Sequence, residues 1–390
     1  MRSPLARPSM TLYAALATPG PPPEGPTASG VRAVFLGTST LLLRDARHTI
    51  LIDGFFSRPP LWRLAARPIA PDERTIDACL TRAGVTKLDA VLCAHSHYDH
   101  ALDAPVIARK YGARLYGSDS TVNIGRGYGL PQELLVEAGD GAVFAFGDFR
   151  VTFVHALHSP GDVAEGAVTE PLTPPAPYRA WKSGQCFSFF VRHPAGSLLV
   201  HPSANHVPGK LADFHADTAY LSVGRLGGQP PGWREEYWRE TVTATDPATV
   251  LPIHWDDFTS PLTRPLRAMP YFMDDVAAAL DFVEERCRRD RRTLVLPTAW
   301  QEVDPFGKWR LPEQPGSGVV AAVRVDGRTG LARRSGPGGR ISDLAEVTRY
   351  TGRDIAAAVS STERRRSGRF WAGWVTMTSS AAVEAAKSSR

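Results

Sequence analysis

A chain of 390 residues that is 43% hydrophobic can bury a substantial core, and it permits one large domain or two small ones. No apolar run approaches the roughly 20 residues that a membrane-spanning helix needs, and the four cysteines, Cys79, Cys93, Cys186 and Cys287, show neither zinc-knuckle spacing nor the pattern of a disulfide framework. The net charge of +5 belongs to the end of the chain: residues 328–390 hold 12 Lys and Arg against 5 Asp and Glu, and all preceding residues hold 33 against 35.

Residues 1–30 are rich in Pro, Gly, Ala and Ser and are expected to form a disordered leader. Within them Arg2 and Arg7 precede a short apolar piece, Met10 to Ala17, which is barely long enough for a signal peptide and runs at once into prolines. The expectation is a cytoplasmic protein, with export as the alternative.

Val31 to Leu36, Thr40 to Leu43 and Thr49 to Ile52 are expected as strands, separated by Gly37-Thr38-Ser39 and by the bend at Asp45-Ala46-Arg47. The last ends in Asp53-Gly54, which taken alone is an ordinary turn pair. The aromatic stretch Phe55 to Trp62 lines a pocket wall or packs under the next helix, and the pocket is the expectation. Pro71 to Ala83 reads as a helix with Ile76 and Leu80 on one face and Gly84 as terminator.

The strand from Leu88 to Ala94 then delivers His95-Ser96-His97-Tyr98-Asp99-His100. Three histidines and an aspartate in six residues just past a buried strand can converge on a metal ion, because neutral imidazole and carboxylate are ligands for zinc and other first-row metals. A histidine-rich surface loop is the bland alternative, and it does not account for so ordered a cluster.

His-Ser-His-Tyr-Asp-His resembles the His-x-His-x-Asp-His signature of the metallo-beta-lactamase fold superfamily. The continuation Tyr98 to Asp103 is similar to the branch of the ascorbate-lactone hydrolase and N-acyl-phosphatidylethanolamine phospholipase D families. The resemblance implies an α/β fold, a four-layered αββα sandwich, spanning residues 31–300. It implies that Asp53 is buried beside the metal loop and fixes it. It also implies a third metal histidine ahead of Ser-Pro-Gly, so that His158 is matched and the nearby His155 is structural, and a last one at a late strand end, which is His254.

Asp103 is expected to cap a helix running to Tyr111, followed by strands at Arg114 to Tyr116 and at Phe149 to His155. Residues 163–180, with Pro171, Pro174, Pro175 and Pro177, form either a partly rigid lid or a passive excursion, and Tyr178 and Trp181 are its candidate substrate contacts. Gln185 to Val191 and Ser197 to Val200 pair as strands. The next residues, His201 to His206, depart from the superfamily pattern. Where most two-metal members carry a bridging aspartate, this chain has Ser203 or a neighbour, a neutral stand-in. A second ion is thereby in question, and His201 or His206 is a reserve ligand.

Thr218 to Val223 and Thr249 to Ile253 are further strands, and Trp233 to Val242 and Asp274 to Arg289 are helices. Asp256 and Asp257 follow His254 as support, pocket or turn residues. Thr293 to Leu296 closes a second sheet. Residues 301–390 are expected as a basic, mostly flexible extension with one helix from Ser342 to Val359. Its Arg364-Arg365-Arg366 run is a solvated feature, and no nucleic-acid partner is expected.

The expected function is a metal-dependent hydrolase acting on a small molecule. His95, His97 and His158 would hold one ion, and Asp99, His100 and His254 a second or, without it, the substrate. Zinc is the expected metal, with one or two ions, and iron or manganese is the alternative. Asp99 is the candidate catalytic residue, orienting water or taking its proton. The rival functions are a mononuclear iron dioxygenase acting on a persulfide and a non-catalytic metal-binding scaffold.

Overall fold

A computed structural model describes residues 5–17, 27–307, 320–325 and 328–333. The first sheet is built by β1 (Arg32–Phe35), β2 (Leu41–Arg44), β3 (Thr49–Ile52), β4 (Ala90–Leu92), β5 (Arg114–Gly117) and β6 (Leu135–Glu137). The second is built by β7 (Val143–Phe146), β8 (Phe149–Ala156), β9 (Cys186–His193), β10 (Gly196–His201), β11 (Thr218–Ser222), β12 (Thr249–Ile253) and β13 (Thr293–Leu294). The short β14 (Glu302–Val303) returns to pair antiparallel with β1, so the first sheet has the order β14-β1-β2-β3-β4-β5-β6. The second runs β13-β12-β11-β10-β9-β8-β7.

Each sheet is antiparallel on one side and parallel on the other. β3 to β6 are parallel neighbours in the first, and β10 to β13 in the second. The parallel part needs crossovers, and helices supply them except between β10 and β11, which residues 202–217 join without a helix. The helices are α1 (Leu61–Ala66), α2 (Glu73–Arg82), α3 (Tyr98–Ala101), α4 (Ala104–Tyr111) and α5 (Asp119–Gly127) beside the first sheet, and α6 (Pro231–Trp238) and α7 (Val276–Arg289) beside the second.

Side chains alternate along each strand and so sort into layers. Ile50, Ile52, Ala90 and Leu92 face Phe149, Phe153, Phe189 and Leu251 between the sheets. Leu51 and Val91 point the other way, against Ile76 and Leu80 of α2 and Ile107 of α4. Leu221 and Val250 likewise pack under Tyr237, Trp238, Leu280 and Val283. This is the αββα sandwich that the motif resemblance implied. All four cysteines are buried free thiols. No helix among the described residues is long and apolar enough to cross a membrane.

Several expectations change. Asp103 precedes α4 but makes no side-chain cap. Its carboxylate turns back to accept Phe56 N–H and Ser57 N–H, both at 2.7 Å, and Ser57 Oγ–H at 2.6 Å. Phe55 and Phe56 are completely buried under the helices and form no pocket wall. Residues 5–17, within the stretch read as a leader, pack on the second half. There Met10–Leu16 forms a 3-10 helix with Tyr13 buried, and Arg7 pairs with Asp257 at 2.8 Å. Beyond β14, Val320–Val325 pairs antiparallel with Arg328–Arg333 in a separate unit of the chain, Pro312–Arg390. The expected helix over 342–359 and the basic run at 364–366 lie outside the described residues.

Replacing Asp103 by alanine strands three donors that have no other carboxylate. The expected result is a loss of about 2–4 kcal/mol, one desolvation penalty per buried donor less some access to water. Urea unfolding checks it, and a midpoint equal to wild type contradicts it.

Candidate metal centre

Strand ends from both sheets deliver the centre. β4 runs out into His95, His97, Asp99 and His100, while β3 ends at Asp53, β8 leads to His158 and β12 ends at His254. One donor atom each from His95, His97 and His158 lie within 4.8 Å of one another, and the same holds for Asp99, His100 and His254. The two groups abut, with the His95 and His100 ring centroids 3.8 Å apart. All six residues singled out in the sequence are thus brought together. His155 stays on β8 outside both groups.

Hydrogen-bond partners assign the proton of three of the rings. His100 Nδ1–H donates to Asp53 Oδ2 at 2.9 Å, and His158 Nδ1–H donates to the Ser159 carbonyl at 2.9 Å. His97 Nε2–H donates to Asp162 Oδ1 at 3.1 Å. The opposite nitrogen of each ring keeps its lone pair. His100 Nε2 and both nitrogens of His95 are buried without any hydrogen-bond partner. Leaving a polar atom in that state costs about 1–3 kcal/mol. Several such atoms in one place, beside rings whose tautomers outer partners fix, match a divalent first-row cation as the missing partner.

Burial and mutual repulsion govern the charges. Burial, and then His100 and the other rings, hold the pKa of His95 well below its ordinary value, and burial with His97 brings His158 down to about 4. Neutral rings are the form that binds a cation. Asp99 is opposed by burial, but His100 and His254 outweigh it and keep the carboxylate ionised. Its Oδ2 lies 3.4 Å from His254 Nε2 and 3.7 Å from His100 Nε2. Burial likewise opposes ionisation of Asp162, and His97 overcomes it.

A buried ion pair sets the position of His254. Asp256 Oδ1 accepts Thr38 N–H at 2.7 Å, and its Oδ2 accepts Arg58 Nη1 at 2.7 Å. Arg58 Nη2 reaches Thr38 Oγ1 at 3.2 Å, and His254 N–H donates to the Thr38 carbonyl at 2.6 Å. Both charged side chains are 0% exposed. Gly37 makes room for them, since a Cβ there would stand 2.0 Å from Arg58 Nη2. Thr38, Asp53, Arg58 and His254 all adopt positive φ, between 41° and 61°. Such conformations persist only where the surroundings over-determine them.

Residues 48–255 match the family described as the beta-lactamase superfamily domain. The chain belongs to that superfamily. A UPF0173 metal-dependent hydrolase of Myxococcus xanthus is 29% identical over 144 residues, covering 37% of this chain and 44% of that protein. A second, from Sinorhizobium medicae, is 32% identical over 139 residues, covering 35% and 52%. The chain therefore spans about half the length of the curated relatives it matches. Among solved structures, Igni18, a metallo hydrolase from the archaeon Ignicoccus hospitalis, superposes with a TM-score of 0.43 at 16% identity, over 70% of this chain and 97% of that one.

Around this superfamily centre the remaining candidates sort themselves. The strand end after β10 offers Pro202, Ser203, Ala204 and Asn205, with no carboxylate. Ala204 N–H donates to Ser159 Oγ at 2.8 Å, and Asn205 Nδ2 donates to the His158 carbonyl at 2.6 Å, so this end braces the His158 loop. His201 is no reserve ligand, because Ser188 Oγ and the Asn205 carbonyl occupy its two nitrogens at 2.6 and 2.7 Å. His206 turns to Trp233 and Glu236. Asp257 binds Arg7, Thr259 and Ser260.

Residues 163–180 form no free lid. Ser183 N–H donates to the Ala164 carbonyl, Val168 N–H to Ser120 Oγ, and Ile69 bridges Ala176. Trp181 is fully buried and cannot meet a substrate, whereas Tyr178 rests on Tyr98 with centroids 5.8 Å apart.

Asp162, Arg58 and Ser39 were not singled out from the sequence. Asp162 had a signal, four residues after His158 in Ser-Pro-Gly-Asp; Arg58 and Ser39 had none. A further group, Asp45, Asp148 and His193, lies at the opposite edge of the sandwich. Ala195 N–H donates to His193 Nδ1 at 3.1 Å, which leaves the proton on Nε2 facing Asp45 and no lone pair for a cation.

Two outcomes follow from these contacts. Arg58→Met should cost about 3–5 kcal/mol by stranding Asp256, and Arg58→Met with Asp256→Leu should recover most of it. Denaturant unfolding of both variants checks this, and equal losses contradict it. Burial lowers His201 from 6.5 to about 4. Its neutral form therefore contributes stability fully above pH 6.5, which is lost as pH falls from 6.5 through 4. His201→Leu should lose less stability than wild type between pH 7 and pH 5, and parallel losses would refute the assignment.

Proposed function

We propose that this chain is a metal-dependent hydrolase whose centre is formed by His95, His97 and His158, with Asp99, His100 and His254 as the second donor group. One observation carries the reading: two abutting groups of three donors in which outer partners fix the ring protons of His97, His100 and His158 and buried nitrogens of His95 and His100 have no partner. Zinc suits the nitrogen-rich set, as one or two ions. A bound divalent cation would supply Lewis acidity and lower the pKa of water from about 15.7 towards about 7.

The chain's own residues do the rest. Asp99, kept ionised between His100 and His254, accepts a proton from water at Oδ2 and orients that water towards the substrate. Where the second group holds no cation, His254 Nε2, facing the same oxygen, would donate to Asp99 or to the substrate oxygen as charge develops there. Asp53 and Asp162 hold His100 and His97 rigid, so little reorganisation accompanies reaction. The substrate centre is a lactone carbonyl or a phosphodiester, the class implied by the similarity of Tyr98 to Asp103 to two superfamily branches. The names of the curated relatives support the hydrolase reading.

Metal content by elemental mass spectrometry, on wild type and His100→Ala purified without chelators, tests it. The expected result is two zinc ions per chain falling to about one, with hydrolysis of a lactone and phosphodiester panel lost on chelation. One iron per chain, unaffected by the substitution and accompanied by oxygen uptake on persulfide, would replace the hydrolase with a dioxygenase.

A further inference from the structure

β11 lies between β10 and β12 and ends beside the centre. Two residues on, a Cβ at Gly224 would stand 3.0 Å from His254 Nδ1, so the backbone here runs against that ring. Arg225 follows with φ 63°, a left-handed conformation that an arginine adopts only when held there. The holding contact is its N–H, donated to Oδ2 of the buried Asp274 at 2.7 Å.

From that fixed backbone the side chain reaches the other side of the centre. A Cβ at Gly161 would stand 2.7 Å from Arg225 Nη2 and 3.1 Å from Cζ. Gly161 sits between His158, a donor of the first group, and Asp162, which holds His97. Arg225 thus joins the segment behind one donor group to the loop that carries the other. Only glycine leaves room for the guanidinium.

This guanidinium is exposed, and among the described residues no carboxylate lies within 4.0 Å of it. Lys182, also exposed and also without an ion pair among the described residues, flanks the far end of the same loop at Gly166. The loop's own acids are Asp162, engaged by His97, and the exposed Glu165.

A forked cation on a fixed backbone, with no carboxylate in direct contact with its head, at the rim of a candidate metal centre is suited to a planar or tetrahedral oxyanion, which it can bind through two parallel hydrogen bonds. We propose that Arg225 is the anion-binding residue of the site and that the substrate is an oxyanion, carrying a carboxylate or phosphate away from the bond that is cleaved. The proposal rests on the hydrolase reading for the reaction, though not for the anion site.

Mono-p-nitrophenyl glutarate and p-nitrophenyl butyrate share the reacting ester and differ in the remote carboxylate. With the full metal-loaded chain, the ratio of their kcat/KM values should favour the glutarate ester in wild type. It should fall about tenfold or more in Arg225→Gln, and by less in Arg225→Lys, as loss of a charge-assisted pair predicts. Arg225→Gln keeps the N–H that Asp274 accepts, and its melting temperature shows whether the fold is intact.

Calorimetric titration with glutarate and with propylphosphonate reads the same site without turnover. Each should bind more weakly to Arg225→Gln, and the tighter of the two in wild type names the anion. A ratio and dissociation constants unchanged by Arg225→Gln overturn the proposal. If wild type cleaves neither ester nor any member of the lactone and phosphodiester panel, yet binds the anions through Arg225, the hydrolase reading fails and the anion site stands.

Discussion

The Asp53 carboxylate, fully buried, connects the first sheet to the metal centre. Its Oδ1 accepts the N–H of Ala94, where β4 turns into the histidine loop, and its Oδ2 accepts from Ser39 and faces His100 Nδ1. One side chain therefore fixes where the loop starts and which His100 nitrogen is free. Burying a carboxylate is tolerable only when each oxygen is satisfied. Here the backbone of β4, the turn after β1 and a ring supply what water would have supplied.

The same logic repeats at smaller scale around the centre. Asp162 serves His97, Ser159 serves His158, and the Arg58–Asp256 pair serves the backbone of His254. His97 and His254 are reached from elements of the opposite half, so the two sheets are held at the site edge by polar contacts as well as by the apolar layer between them. Strain is concentrated there too, in the left-handed residues Thr38, Asp53, Arg58, Arg225 and His254.

Local residue patterns foretold much of this. The alternation in β3 and β4 and the apolar stripes of α2 and α7 predicted layers, because period and burial are coupled in any packed sheet or helix. The dense His95 to His100 cluster announced itself, and superfamily resemblance placed His158 and His254. What failed depended on direction, which sequence does not encode. Asp103 stands at a helix start yet points backwards to Phe56 and Ser57. Trp181 looks like a pocket aromatic in a proline-rich loop, yet it completes the core under the first sheet. Arg58 has no motif, since its partner Asp256 is 198 residues away.

That remoteness has a consequence for the order of assembly. Thr38 and Asp256, joined at 2.7 Å, are separated by 218 residues, and His254 depends on that junction. During synthesis the histidine loop is complete long before its counterpart on β12 exists. A nascent chain can pair β1 to β6 and still lack His254 of the second donor group, because the closing contacts are among the most distant in sequence and the entropy of closing so long a loop must be met first. Completion of the candidate metal centre is thus a late event that follows docking of the two halves.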